Sequence, residues 1–212
     1  MLFRSGDAEQ LYADGVDVIT LGNHSFDRRE ICQFLNDDSR IIRPANLSGP
    51  FPGDGFTVVD TMRGTVKVIN LIGRCNMAFG PDNPFYEADR ILKDNPADFT
   101  VVDFHAEATS EKYAMAYHLD GRVSALFGTH THVVTADEQI FPDGMGYITD
   151  IGMTGPVNSV IGVKPEQSLA YYRGGLFERF AGAEGAGRLR GAIFDLDDDS
   201  GKCIGVERVD IE

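Results

Sequence analysis

The side chains best suited to chemistry in this chain of 212 residues are its five histidines, and they fall in a pattern. Gly128-Thr129-His130-Thr131-His132 follows an apolar run at 123–127. Gly22-Asn23-His24 follows another at 16–21, and His105 follows a third at 99–104, with Glu107 two residues on. Imidazole is the commonest biological metal ligand. Two imidazoles at i and i+2 past a strand are expected on one side of the chain. Packing explains such a pair poorly, and three strand ends bearing imidazole, amide and carboxylate groups point to one metal centre. Nitrogen and amide-oxygen donors without thiolate suit iron, manganese or zinc rather than calcium. Glu107 reads either as an acceptor orienting a ligand histidine or as an acid leading a helix. His118, inside a helical stretch, reads as structural.

The elements that must position these groups follow from periodicity and punctuation. Residues 8–13 read as the end of a helix stopped at Asp14-Gly15, and 16–21 as a buried strand. Asp27 is expected to cap a helix over 28–35, whose Ile31, Phe34 and Leu35 share a face. A short strand at 41–46 is broken by Pro44, and 47–55 is a loop rich in Gly and Pro. Strands at 56–60 and 65–72 form a hairpin around 62–64, followed by a long loop over 73–84. A helix over 85–93, a strand at 99–104, and a helix over 110–118 capped by Thr109 lead to the strand at 123–127. Strand pieces at 139–141 and 146–148, a tight loop at 152–156 and a helix over 165–173 come next. Two closing strands, 189–196 and 203–211, are joined by an acidic turn at 197–201. That turn lacks the last glutamate of an EF-hand and reads as a solvated hairpin turn. Strand–helix alternation with an antiparallel finish predicts an α/β layered fold in a single domain over 1–212.

Composition narrows the partners. Hydrophobic residues at 42% and charged residues at 25% are those of a globular protein, and the net charge of −14 disfavours a nucleic-acid duplex or an anionic membrane. A small phosphate-bearing substrate remains compatible, because a metal reverses the local field. Cys32, Cys75 and Cys203 are widely spaced and odd in number, so buried or semi-buried free thiols in a reducing cytoplasm are expected. No apolar run reaches membrane-spanning length, and Met1–Ser5 is too short for a signal segment.

Longer strings carry a resemblance. Thr20-Leu21-Gly22-Asn23-His24, Asp103-Phe104-His105-Ala106-Glu107-Ala108-Thr109-Ser110-Glu111-Lys112 and Gly128-Thr129-His130-Thr131-His132-Val133-Val134-Thr135-Ala136-Asp137 resemble the calcineurin-like metallophosphoesterases. Among these they resemble the YmdB-type family of cyclic-nucleotide phosphodiesterases. Arg43-Pro44-Ala45-Asn46 and Asp150-Ile151-Gly152-Met153-Thr154-Gly155-Pro156 fit as well. The resemblance implies an αββα sandwich with two divalent metals, iron or manganese, with zinc also permitted. Asn23, His105 and His130 would bind one metal and His132 the other. His24 would be the proton donor while metal-bound hydroxide attacks a 2′,3′-cyclic nucleotide. A homo-oligomer is compatible with it.

One departure stands out. The family opens with strands ending in Gly-Asp and Asn-Gly-Glu-Asn, and this sequence has neither. Gly6-Asp7 follows no strand and leads into a helix. The expectation is therefore a chain lacking about the first two strand–helix units, with at most one weakly held metal and reduced catalysis. Two other classes compete with this reading. One is a catalytically silent metal-binding or regulatory interaction protein. The other is an amidohydrolase, which places its His-x-His pair early in a barrel; here only 80 residues follow His132.

Overall fold

A computed structural model of the chain describes residues 5–77, 80–176 and 179–212. Its elements begin with α1 (Ser5–Ala13), β1 (Ile19–Thr20), α2 (Glu30–Asp37), β2 (Ile41–Ile42), β3 (Phe56–Thr61) and β4 (Gly64–Ile72). Then come α3 (Pro84–Asp94), β5 (Phe99–His105), α4 (Thr109–Leu119), β6 (Ala125–Thr129), β7 (Gln139–Ile140) and β8 (Gly146–Ile148). The chain continues through β9 (Gly155–Pro156), α5 (Pro165–Tyr172), β10 (Gly187–Leu196) and β11 (Cys203–Ile211).

The largest sheet has the order β3-β4-β5-β6-β8-β7. Strands β4, β5, β6 and β8 are parallel, so their carboxyl ends share one edge, and the ladder sets Ile72 level with His105 and His105 level with Thr129. In open α/β sheets that edge is where sites assemble. Parallel strands are buried on both faces and need near-continuous apolar sequence. Leu71, Val102, Phe104 and Leu126 accordingly have no exposed surface, and Ile91, Met115 and Leu119 of the crossover helices close over them. Each such side chain contributes about 1.5–3 kcal/mol of burial. Helix α3 starts with Pro84 in the first turn and the Asn83 side-chain Oδ1 accepting from Phe85 N–H at 3.0 Å.

A second sheet, in the order β11-β10-β9, lies against β7 and β8. Gly146 permits the approach: a Cβ there would sit 2.6 Å from Cys203 Sγ and 2.7 Å from Phe194 Cδ1. The two-residue parallel pair β1–β2 is tied to β4 by the Asn70 amide, which donates to Leu21 O at 2.6 Å and Ile42 O at 3.3 Å. Beneath it Ala8, Ile19, Ile31, Leu35 and Ile41 make a small separate core with α1 and α2. The fold is the α/β layered type expected.

Several local expectations are corrected. The strand expected at 16–21 pairs over Ile19–Thr20 alone, because its partner β2 runs at once into Arg43-Pro44, where proline has no N–H to offer a ladder. Asp27 does not cap α2; the helix starts at Glu30 with no side-chain cap, and the Asp27 carboxylate binds His24 instead. Thr109 is the first residue of α4 rather than its cap, which is Ala108. The tight loop at 152–156 contains β9, paired with β10. Of the free thiols Cys203 is buried and Cys32 intermediate, but Cys75 is exposed on a bend after β4, where Glu111 holds its backbone N–H. The acidic turn closes as expected, with Asp197 Oδ1 accepting from Ser200 N–H and Oγ–H. The loop at 73–84 is gripped at its base by Asn46, whose amide donates to Ile72 O and Asp82 O at 2.8 Å each. Ala78 and Phe79 of that loop, and Met1 to Arg4 of the opening segment, lie outside the described residues. No helix among the described residues is long and apolar enough to cross a membrane.

Candidate metal centre

His105 ends β5 on the shared carboxyl edge, and the turn after β1 brings Asn23 to it: His105 Nε2 lies 3.0 Å from Asn23 Oδ1. Gly22 makes room, since a Cβ there would overlap the His105 ring. The glycine of Gly-Asn-His is therefore a packing requirement of a histidine 83 positions later. From the other side His130 Nδ1 comes within 3.2 Å of His105 Nε2, with the two rings edge to face.

The partners of the remaining ring nitrogens decide where the protons are. His105 Nδ1 lies 2.9 Å from Thr129 Oγ1, and the Thr129 hydroxyl donates to Asp103 Oδ1 at 2.7 Å. Burial pushes the Asp103 carboxyl up to about 6, opposed by hydroxyls of Thr20 and Thr129. At neutral pH it is still mainly a carboxylate and an acceptor. Thr129 Oγ1 therefore receives the His105 Nδ1 proton, and Nε2 carries the lone pair. Burial, with neighbouring His130 and Lys112, holds the His105 imidazole down to about 3, so the ring stays neutral. His130 Nε2 faces Glu107 Oε2 at 3.2 Å, which leaves its Nδ1 as the lone pair. Burial also lowers His130, with Glu107 opposing. Two imidazole lone pairs and an amide oxygen thus converge with no proton between them. Turning the Asn23 amide over would relieve one contact and leave the His105–His130 pair facing each other; a cation relieves both. The donor set fits a divalent transition metal. Among the described residues no group of three or more His, Cys, Asp or Glu side chains could hold an ion, so the third donor here is an amide.

The expectation that His130 and His132 share one side of a strand is overturned. The ladder ends at Thr129, and both histidines take left-handed backbone, φ +101° and +65°. Such conformations in non-glycine residues cost about 1–3 kcal/mol and persist only where surroundings impose them. Here Thr131, between them, is bolted to Asp150, whose Oδ2 accepts its N–H at 3.2 Å and its hydroxyl at 2.8 Å. The same oxygen takes Lys112 Nζ at 2.8 Å in an ion pair with both side chains 1% exposed. Lys112 reaches it past Gly128, where a Cβ would overlap Thr149 O and lie 2.9 Å from the lysine Cδ. His130 is turned inward to His105, while His132 places Nδ1 3.4 Å from Ile161 O at the mouth of a separate cavity of about 310 Å³. His24 is on the open side: Nδ1 is 2.8 Å from Asp27 Oδ2 and Nε2 3.5 Å from Asn23 Nδ2.

The structure thus brings Asn23 and His130 onto His105, sets His24 beside Asn23 and leaves His132 outside those contacts. Glu107 is the orienting acceptor of the two readings offered for it. His118 pairs with Asp89 of α3 at 2.9 Å, a bond between helices. Sequence reasoning missed Asp103, Thr129, Lys112 and Asp150. Thr129 was discoverable as the residue between a strand end and a histidine; a lysine buried against an aspartate 38 positions away has no local signature.

A family model described as "YmdB-like protein" matches residues 3–209. A 2′,3′-cyclic-nucleotide 2′-phosphodiesterase of Bacillus subtilis is 43% identical over 94% of this chain and 76% of its own length. A crystal structure of a hypothetical protein from Thermus thermophilus superposes with a TM-score of 0.92 at 35% identity, over 99% of this chain and 82% of that one. That of a novel phosphatase from Mycoplasma pneumoniae gives 0.91 at 36% identity, over 99% and 76%. The family match runs almost end to end, and the expectation of missing amino-terminal units is not borne out by it.

Proposed function

From the premise that this chain belongs to the YmdB-like family, we propose that it is a metal-dependent phosphodiesterase opening small 2′,3′-cyclic nucleotides. The observation that carries this reading is the convergence of Asn23 Oδ1 and His130 Nδ1 on His105 Nε2, at 3.0 and 3.2 Å. Those three residues would hold one ion and His132 a second; iron, manganese or zinc suits the donors. A divalent ion there supplies Lewis-acid polarisation of a phosphoryl oxygen and makes water acidic near neutral pH.

The chain's own residues do the rest. Thr129 and Asp103 keep the His105 lone pair outward, and Glu107 does so for His130. His24 holds the proton for the leaving oxygen: Asp27 retains the Nδ1 proton, so Nε2 is the nitrogen that gives one up. A water molecule loses one proton to solvent as its oxygen bonds to phosphorus, the bond from phosphorus to the ribose 2′ oxygen breaks, and that oxygen takes the Nε2 proton. His24 is left neutral and is reprotonated from solvent, to which its side chain is 69% exposed.

The test is hydrolysis of 2′,3′-cyclic AMP by protein loaded with manganese or iron, with bound metal measured on the same sample. Formation of the 3′-monophosphate supports the reading; bound metal with no turnover sinks it. A second reading, a metal-binding or regulatory interaction protein without turnover, is favoured by one observation. Glu107, the carboxylate at the cluster, is spent on the outer nitrogen of His130. Identical background rates in the wild type and in His24→Ala, both with metal bound, would establish that alternative.

A further inference from the structure

We infer that the cavity beside Asn23 is the subsite for the nucleobase of the cyclic nucleotide, with Phe51 as its stacking platform. This rests on the phosphodiesterase reading above and goes beyond it by naming what seats the base. The cavity, about 190 Å³, is lined by Gly22, Asn23, Phe26, Asp27 and Phe51 among others. Its wall is thus the turn that carries the metal-facing amide and the carboxylate holding His24. Phe26 and Phe51 stack with centroids 4.7 Å apart and planes within 19°. Phe51 is still 41% exposed, so stacking on Phe26 leaves ring surface uncovered.

The loop bearing Phe51 is built rather than slack. Gly49, at φ +108°, bends the chain so that Phe51 N–H bonds back to Gly49 O at 2.9 Å. Gly53 is tied to α2 by its N–H to Asn36 Oδ1 at 3.1 Å, and a Cβ there would lie 2.7 Å from Leu35 Cβ. An exposed phenylalanine fixed in place over a cavity is an aromatic platform waiting for a flat partner.

The chemistry puts the nucleoside on this side. The oxygen that takes the His24 proton belongs to the ribose, so the base must leave the reacting centre on the His24 side. The cavity is smaller than the roughly 300–1,000 Å³ of sites enclosing a whole drug-sized ligand. It suits one ring system, with the phosphate remaining outside at the histidines. Recognition by ring face rather than by base edge tolerates any base and favours purines over pyrimidines modestly.

The test compares 2′,3′-cyclic AMP with a baseless analogue, the 2′,3′-cyclic phosphate of 1-O-methylribofuranose, using manganese-loaded protein. In the wild type the base-bearing substrate is preferred. In Phe51→Ala and Phe51→Leu the ratio of kcat/KM between the two substrates falls about tenfold, carried by KM. Phe51→Tyr keeps the ratio. The leucine variant preserves apolar contact with Phe26, so the result does not depend on alanine folding. Metal-free protein mixed with adenosine 3′-monophosphate gives a second readout: saturation of phenylalanine ring protons transfers to the adenine protons in the wild type and is lost in Phe51→Leu. Turnover with an unchanged ratio in the alanine and leucine variants overturns the subsite and leaves the phosphodiesterase reading intact. No turnover of either substrate, with Phe51-dependent saturation transfer, keeps the subsite and overturns that reading.

Discussion

His105 stands at the end of a six-stranded sheet with both ring nitrogens committed, while His24 stands on a turn with its side chain 69% exposed and a single carboxylate partner. Under the proposed function the same imidazole would be put to opposite uses on the two sides of the site. On the buried side desolvation holds His105 down to about 3, and a relay through Thr129 to Asp103 fixes which nitrogen bears the lone pair. On the open side the exposed His24 ring is in reach of water, which in the proposed reaction would return its proton. A ligand must not gain a proton and a proton donor must exchange one, so burial serves the first and exposure the second.

The contrast can be broken most directly by exchanging the two histidines for alanine. His24→Ala is expected to lower kcat by about 10²–10⁴-fold, the usual worth of a positioned acid or base, with metal content unchanged. His105→Ala, or Gly22→Ala, whose new Cβ overlaps the His105 ring, is expected to empty the site of metal as measured by elemental analysis. Metal loss in His24→Ala equal to that in His105→Ala would dissolve the distinction. Lys112→Met comes next. It strands the Asp150 carboxylate in the interior and should reduce stability by about 3–5 kcal/mol in denaturant unfolding, since one partner of a buried pair is removed. Unchanged stability would mean that Thr131 and Gly152 satisfy Asp150 alone.

Two smaller effects sharpen the picture. Thr129→Val deletes the relay without touching a metal donor and should weaken metal binding about 10–100-fold by titration, with the fold unchanged. Asp137 tests the outer end of the same loop. Burial raises its carboxyl, but hydrogen bonds from Thr135, Thr149 and Tyr113 outweigh this and leave it below the usual range. A depressed carboxyl stabilises the fold above its unfolded value near 3.8 and loses that contribution as pH falls through the folded value. Asp137→Asn should therefore flatten the acid limb of a plot of Tm against pH, and an unaltered limb would count against those bonds.

Much of the fold was legible because its signals are local. The apolar runs at 99–104 and 65–72, the helix over 85–93 and the acidic turn at 197–201 are each settled within a few residues. Two cap assignments failed locally: the Asp27 carboxylate binds His24, three residues back, and Thr109 is the first residue of α4. Of the candidate site, Gly-Asn-His, His105 and the His-x-His pair were offered by residue type, and the structure gathers Asn23, His105 and His130 of these. The orienting groups were not offered, because Asp103 reads as an ordinary strand residue and Thr129 as a spacer before His130.

The amino-acid sequence by itself determined that imidazoles would stand at the ends of several strands, and the long shared strings determined the family. Both are matters of residue type and order. Only the tertiary structure decided that His130 and His132 part company. Their different partners arise from left-handed backbone that Asp150 imposes through Thr131, an aspartate 19 positions away held by Lys112 of α4. Only the fold, likewise, placed Phe51 beside Asn23. Contacts between residues far apart in the chain set where a lone pair points, and no local pattern encodes that direction.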